Sequence, residues 1–127
     1  MYYIIESGKS FYEASVDLEE VVLRLGFGVL HIHDLGATLR RKGLDFDEEA
    51  KVFEIFNPRQ AEKLLAIDMR LNMALPWRIS VYTENGATKI GLLRPQPMLA
   101  ALSADTELAR VAREVEEKMI QMVDEAR

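Results

Sequence analysis

Apolar residues recur at helical spacing in two long segments of the chain. From Ser10 they follow one another at steps of three and four residues as far as Leu25, and Gly26 then ends the pattern. A second stripe begins near Ala104 and continues to Val123, with opposite charges four residues apart on its other side. Both segments are predicted to be amphipathic helices. The second stripe fits either the core of this chain or contact with a second copy.

Shorter segments between these helices have the composition and alternation of β-strands. Residues 2–6 and 51–56 are rich in aromatic and β-branched side chains, which favour strands. In the stretch GFGVLHIHDLG, 26–36, apolar residues alternate with His31 and His33, and this alternation predicts a third strand. Both histidines are expected on the same face of it.

A helix start is predicted at Asn57. Its side chain can cap a helix, Pro58 suits the first turn, and Gln60 stands three residues after the cap. We expect this helix to run from Pro58 to about Ala66. A shorter helix is expected over 36–42.

The Asn85-Gly86 pair predicts a hairpin with a type I′ turn. Pairing Glu84 with Ala87 sets apolar or β-branched pairs on one face: Thr83 with Thr88, Val81 with Ile90, and Ile79 with Leu92. The other face is mixed: Tyr82 with Lys89, Ser80 with Gly91, and Arg78 with Leu93. Together the elements predict one α+β domain over residues 1–127, with about five strands.

Composition narrows the classes of partner. The 127 residues include 16 basic and 21 acidic side chains, a formal charge of −5, so no positive field attracts nucleic acid or a membrane surface. Cysteine is absent, which excludes disulfides and thiolate metal sites. No signal segment or long apolar run is present, and we expect a soluble cytoplasmic protein. The Gly26-Phe27-Gly28 segment is too short for a dinucleotide fingerprint, and no cofactor is predicted.

Two groups of residues are candidates for chemistry. His31 and His33 can donate two imidazoles to one metal ion, although a third ligand would have to come from elsewhere in the fold. The helix start at Asn57 is a natural place for an anion, and Arg78 and Arg94 at the base of the hairpin can complete such a site. The alternative for all five is structural: a solvated strand face, a helix cap and exposed arginines.

The order of motifs resembles the bacterial and archaeal family known as domain of unknown function 302: GFGVLHIHDLGATLRRKGLDF, VFEIFNPRQAEKLLAID, ALPWRISVYTENG and RPQPMLAAL. The resemblance covers 2–102 and leaves the last helix, within 103–127, as an extension. It implies a curved antiparallel sheet with helices on one side, similar to one half of the TATA-binding protein, assembled as a homodimer. It does not imply DNA binding.

This chain departs from many relatives at two positions. They carry cysteine just before the Asn-Pro step and just after the Leu-Pro step, where this chain has Phe56 and Trp77. A role that depends on those thiols is therefore not expected here. Apolar packing is expected at both positions instead.

Three functions remain open from the sequence. The first is a homodimeric module that binds a small anionic ligand near Asn57, Arg78 and Arg94. The second is a protein–protein interaction module that uses the sheet or the last helix. The third is a metal-dependent enzyme centred on His31 and His33, so whether the chain is an enzyme is undecided.

Overall fold

The computed structural model describes residues 1–127 as one α+β domain built on a five-stranded antiparallel sheet. In chain order the elements are β1 (Tyr2–Ser7), α1 (Phe11–Arg24), β2 (Gly28–Asp34), α2 (Leu35–Arg41), β3 (Ala50–Phe56), α3 (Pro58–Ile67), a 3₁₀ helix (Met69–Ala74), β4 (Trp77–Glu84), β5 (Ala87–Leu93), α4 (Pro95–Ala100) and α5 (Thr106–Ala126). The strands lie in the order β1-β5-β4-β3-β2. The predicted fold class is confirmed, and the likeness to half of the TATA-binding protein stays a prediction.

The two faces of the sheet differ in burial. The hairpin pairs Glu84 with Ala87 around Asn85 and Gly86, both with positive φ, as predicted. This register places one set of side chains against the helices, and they are buried: Phe53, Ile55, Trp77, Ile79, Val81, Ile90 and Leu92. The alternate residues lie on the opposite face, which no long helix covers. We call it the open face.

The long helices α1 and α5 cover the buried face of the sheet. The stripe of α5 packs inside this chain, where Val115, Met119 and Met122 are almost completely inaccessible to solvent. Each such side chain stabilises the fold by about 1.5–3 kcal/mol when it leaves water. The stripe is therefore core. Contact with a second copy, the alternative left open by the sequence, is ruled out for this face of α5.

Side-chain caps mark the starts of helices, among them α1, α3 and α5. The Ser10 hydroxyl accepts the Glu13 amide in α1, and Asn57 Oδ1 accepts the Gln60 amide in α3, as predicted. The last helix begins at Thr106 rather than near Ala104, because Asp105 accepts the Leu108 amide.

The helix α4 was not predicted, because two prolines so close together, Pro95 and Pro97, are unusual in a helix. Both prolines instead lie in the first turn of a short helix, where a missing amide hydrogen costs little. The carboxylate of Glu116, only 3% exposed, accepts the Gln96 amide at 3.0 Å and the Gln96 side chain at 2.8 Å. Arg94 Nη2 donates to the same carboxylate at 3.1 Å. Glu116 thereby joins α5 to the start of α4.

The two ends of the chain meet beside β1. The Tyr3 hydroxyl donates to Asp124 at 2.6 Å, and this bond to a carboxylate raises the pKa of Tyr3 above its usual value. Arg127 Nε donates to the Glu6 carbonyl at 3.1 Å, and Lys9 Nζ donates to the Ala126 carbonyl at 3.0 Å. The last turn of α5 is therefore fixed to the first strand.

We expect Glu116→Ala to lower the free energy of unfolding by about 2 kcal/mol, because it removes the acceptor for several donors around α4. The half-exposed Arg94 can turn to water, which keeps the loss below that of a fully buried pair. Chemical denaturation at neutral pH measures the loss. Glu117→Ala, on the exposed side of the same helix, is the matched control and should change stability little. Equal effects of the two substitutions would contradict the role assigned to Glu116.

The stabilisation that Glu116 provides should depend on pH. Burial opposes ionisation of Glu116, but the hydrogen bonds from Gln96 and Arg94 outweigh it and hold its pKa below the usual value. The stabilisation is therefore complete above the unfolded pKa of about 4.3 and is lost as the pH falls further. The stability gap between wild type and Glu116→Ala should narrow in acid. A gap that widens in acid would contradict this assignment.

Candidate functional site

The open face of the sheet forms the floor of a groove of about 610 Å³. The strands β1, β3, β4 and β5 contribute side chains at alternate positions, and the segment 42–49 with the start of α2 forms one wall. The lining side chains are mostly apolar, and they include these: Tyr2, Ile4, Leu35, Phe46, Val52, Tyr82 and Leu93. A volume of this size is within the range of small-molecule sites.

Gly91 allows Ile4 of β1 to pack closely on the floor of the groove. It lies between Ser80 of β4 and Ile4 of β1 in the strand register. A Cβ atom at this position would lie 3.0 Å from Ile4 Cγ1 and 3.2 Å from the Tyr3 carbonyl oxygen. Both distances are shorter than normal van der Waals contact, so a side chain here would displace β1 or Ile4.

The wall beside β3 is fixed by Arg40. Its guanidinium donates to the carbonyl oxygens of Phe46 at 3.0 Å and Glu48 at 3.2 Å, and it pairs with Glu49 at 2.8 Å. These bonds hold a segment without regular secondary structure against the sheet, and they place Phe46 at the groove.

One end of the groove is acidic. Glu49 is paired with Arg40, and Glu84 with Lys89 at 2.7 Å. Glu48 instead accepts hydrogen bonds from the Thr83 hydroxyl at 3.0 Å and from the Asn85 amide at 2.8 Å. Because both donors are neutral, the charge of Glu48 is not compensated locally.

The opposite end of the groove carries Arg78, the one basic side chain in its lining. The side chain is 67% exposed, and its guanidinium pairs only with Glu54, at a long 4.0 Å. Most of the donors of Arg78 therefore point to solvent. A guanidinium in this state can bind a carboxylate or phosphate through two parallel hydrogen bonds.

Both histidines lie on the open face, beside Arg78. His33 Nε2 is 3.0 Å from Glu54 Oε1, and the rings of His31 and His33 meet edge to face with centroids 4.4 Å apart. Glu54 thus lies between an imidazole and a guanidinium. No group of three or more His, Asp or Glu side chains in the chain is arranged to hold a metal ion. The metal hypothesis for His31 and His33 stays a prediction that needs a ligand from outside this cluster.

The structure does not bring Asn57, Arg78 and Arg94 together. Arg78 lies on the open face, whereas Arg94 is turned to the helical side by its pair with Glu116. Asn57 caps α3 and donates from Nδ2 to the Gly26 carbonyl at 3.2 Å, so both ends of its amide are used. The expected shared site of these three residues does not form.

The groove itself was not predicted from the sequence, although the hairpin register contained a signal for it. That register already placed Ser80, Gly91 and Arg78 on one mixed face, which is the floor of the groove. The wall formed by Leu35 and Phe46 carried no comparable signal. None of the helices is both long and apolar enough to span a membrane.

We expect Gly91→Ala to lower the free energy of unfolding by about 1–2 kcal/mol, because the added methyl group meets the β1 backbone. Gly8→Ala is the matched control, since a Cβ there would meet no atom within 4 Å. Urea denaturation of both variants measures the difference. Equal stability of the two variants would show that β1 shifts without cost.

Comparison with known proteins identifies the family of this chain but not its activity. No curated protein matches the sequence. A similar solved structure is the crystal structure of an uncharacterized conserved protein DUF302 from Bacillus stearothermophilus, with a TM-score of 0.92 and 32% identity over 99% of this chain and 98% of that one. The family model described as Domain of unknown function DUF302 matches residues 3–126, so it includes α5, beyond the residue 102 where the resemblance in the sequence ended. The chain belongs to the DUF302 family.

Proposed function

We propose that this protein binds a small molecule in the groove of the open face, with Arg78 holding an anionic group of the ligand. The observation that carries the proposal is the state of Arg78: it is the one basic side chain in the groove lining, and its single ion pair is long. An arginine without strong partners beside an apolar groove is suited to recognise an anion on a partly apolar molecule.

This proposal keeps the anion hypothesis but changes its residues. It leaves out Arg94 and Asn57, because each is hydrogen-bonded on the helical side of the sheet, away from the groove. The groove residues replace them as the second part of the site. Chief among these are Ser80 and Tyr82, which follow Arg78 along the same face of β4.

We also propose a homodimer in the cytoplasm. Three large apolar side chains on the outward side of α1, Tyr12, Val16 and Leu23, are exposed and support association with a second copy. Their spacing of four and seven residues places them on one face of the helix. The binding of another protein at this helix is the alternative.

Light scattering measures the mass of the particle in solution. A dimer is expected at twice the 14.5 kDa mass of the chain, and Val16→Glu should shift it toward a single chain. A mass of one chain for the wild type at micromolar concentration would contradict the homodimer.

The ligand proposal predicts that Arg78→Gln abolishes stabilisation by anions. We expect acetate, benzoate or inorganic phosphate, screened at constant ionic strength, to raise the melting temperature of the wild type and not that of Arg78→Gln. Thermal unfolding monitored by fluorescence measures both.

Two controls accompany this experiment. Arg113→Gln removes the same charge from the exposed side of α5 and should leave the response to anions intact. Arg94→Gln should lower stability through the loss of its bond to Glu116, and it should also leave the response intact. A response that survives Arg78→Gln but disappears with Arg94→Gln would return the anion site to the residues expected from the sequence.

A further inference from the structure

We infer that the ligand of the groove is an amphipathic monoanion, a single carboxylate on an extended apolar body, which lies along β4 with its charge at Arg78. The inference rests on the proposed function and adds the chemical class of the ligand. The arrangement of charges along the groove, rather than its size, selects this class.

The first step concerns how many negative charges the groove accepts. Arg78 is the one basic side chain in the lining, and Glu54 already shares its field from 4.0 Å. The Glu54 carboxylate therefore compensates part of the positive charge that Arg78 presents to a ligand. A polyphosphate or a nucleotide needs several cations around it, whereas this end of the groove supplies one arginine, and the neighbouring His33 is already paired with Glu54.

The second step concerns the far end of the groove. Glu48 lies there without a basic partner, and Glu49 and Glu84 add two further carboxylates that are each paired. A second negative charge on the ligand would meet Glu48. The far end therefore admits a neutral or positively charged end group and repels an anion.

The third step concerns the space between the two ends. Arg78 and Tyr82 are four residues apart on one strand, a span of roughly 13 Å at the rise of an extended chain. Apolar side chains border this span from both sides: Tyr2, Ile4 and Leu93 from β1 and β5, and Leu35, Phe46 and Val52 from the opposite wall. Ile4 packs over Gly91 and forms part of this apolar border, so the ligand chain would run along its exposed side.

Apolar contact along this span should make affinity depend on chain length. Each methylene group that leaves water strengthens binding by roughly fourfold. A series of straight-chain carboxylates from butanoate to octanoate should therefore bind with steadily increasing affinity to the wild type. Octanol has the same apolar chain without the charge, so it should bind more weakly than octanoate.

The experiment is isothermal titration calorimetry at neutral pH and constant ionic strength, with these compounds and inorganic phosphate as probes. We expect Arg78→Gln to weaken octanoate binding at least tenfold, and Ile4→Ser to weaken it severalfold while leaving the weak binding of acetate unchanged. Leu102→Ser, an exposed leucine after α4 and outside the groove, is the matched control and should bind octanoate like the wild type. Circular dichroism of each variant verifies its fold.

The outcomes separate the ligand class from the proposed function. Tighter binding of phosphate than of octanoate, still dependent on Arg78, would overturn the ligand class and leave the anion site in place. Equal binding of octanoate and octanol would likewise overturn it. Absence of binding by every anion would overturn the class and the proposed function together.

Discussion

The packing of α1 and α5 on a single face of the sheet is the constraint on which the other features depend. A sheet with one covered face buries every second side chain of each central strand. The side chains between them face either solvent or a bound ligand. In β4 this divides Trp77, Ile79 and Val81 from Arg78, Ser80 and Tyr82. The apolar core and the candidate site are therefore two sides of the same strands, and any shift of register would exchange them.

The polar and apolar residues of the open face are segregated, whereas a surface that only contacts solvent needs no such arrangement. Its apolar side chains are gathered between β1, β5 and the 42–49 segment, while its charges stand at the two ends. Glu54 prevents Arg78 from being an isolated charge and also orients His33. The same carboxylate thus lowers the attraction of Arg78 for anions. This favours ligands that also gain affinity from apolar contact.

The sequence was informative wherever local chemistry determines structure. The Asn85-Gly86 turn determined the hairpin register, and Ser10 and Asn57 determined helix starts, because each acts on residues within a few positions. The helix α4 was missed because Glu116, twenty residues further on, stabilises its first turn. Arg94 was grouped with Arg78, although the predicted pairing of Arg78 with Leu93 implied that the next residue faces the helices. The groove wall depends on Arg40 contacts with a loop, for which the sequence carries no periodic signal.

The order of the strands has a consequence for how the chain is made. Strand β1 has only β5 as a neighbour in the sheet, and α5 is tied to β1 through Tyr3 and Asp124. During synthesis at about 5–20 residues per second, the first strand leaves the ribosome several seconds before either partner exists. Strand β1 is thus translated before the other four strands but is among the last that can be incorporated into the sheet. The sheet is therefore completed only after β5 has been synthesised, and until then the segment Tyr2–Ile5 has no strand to pair with.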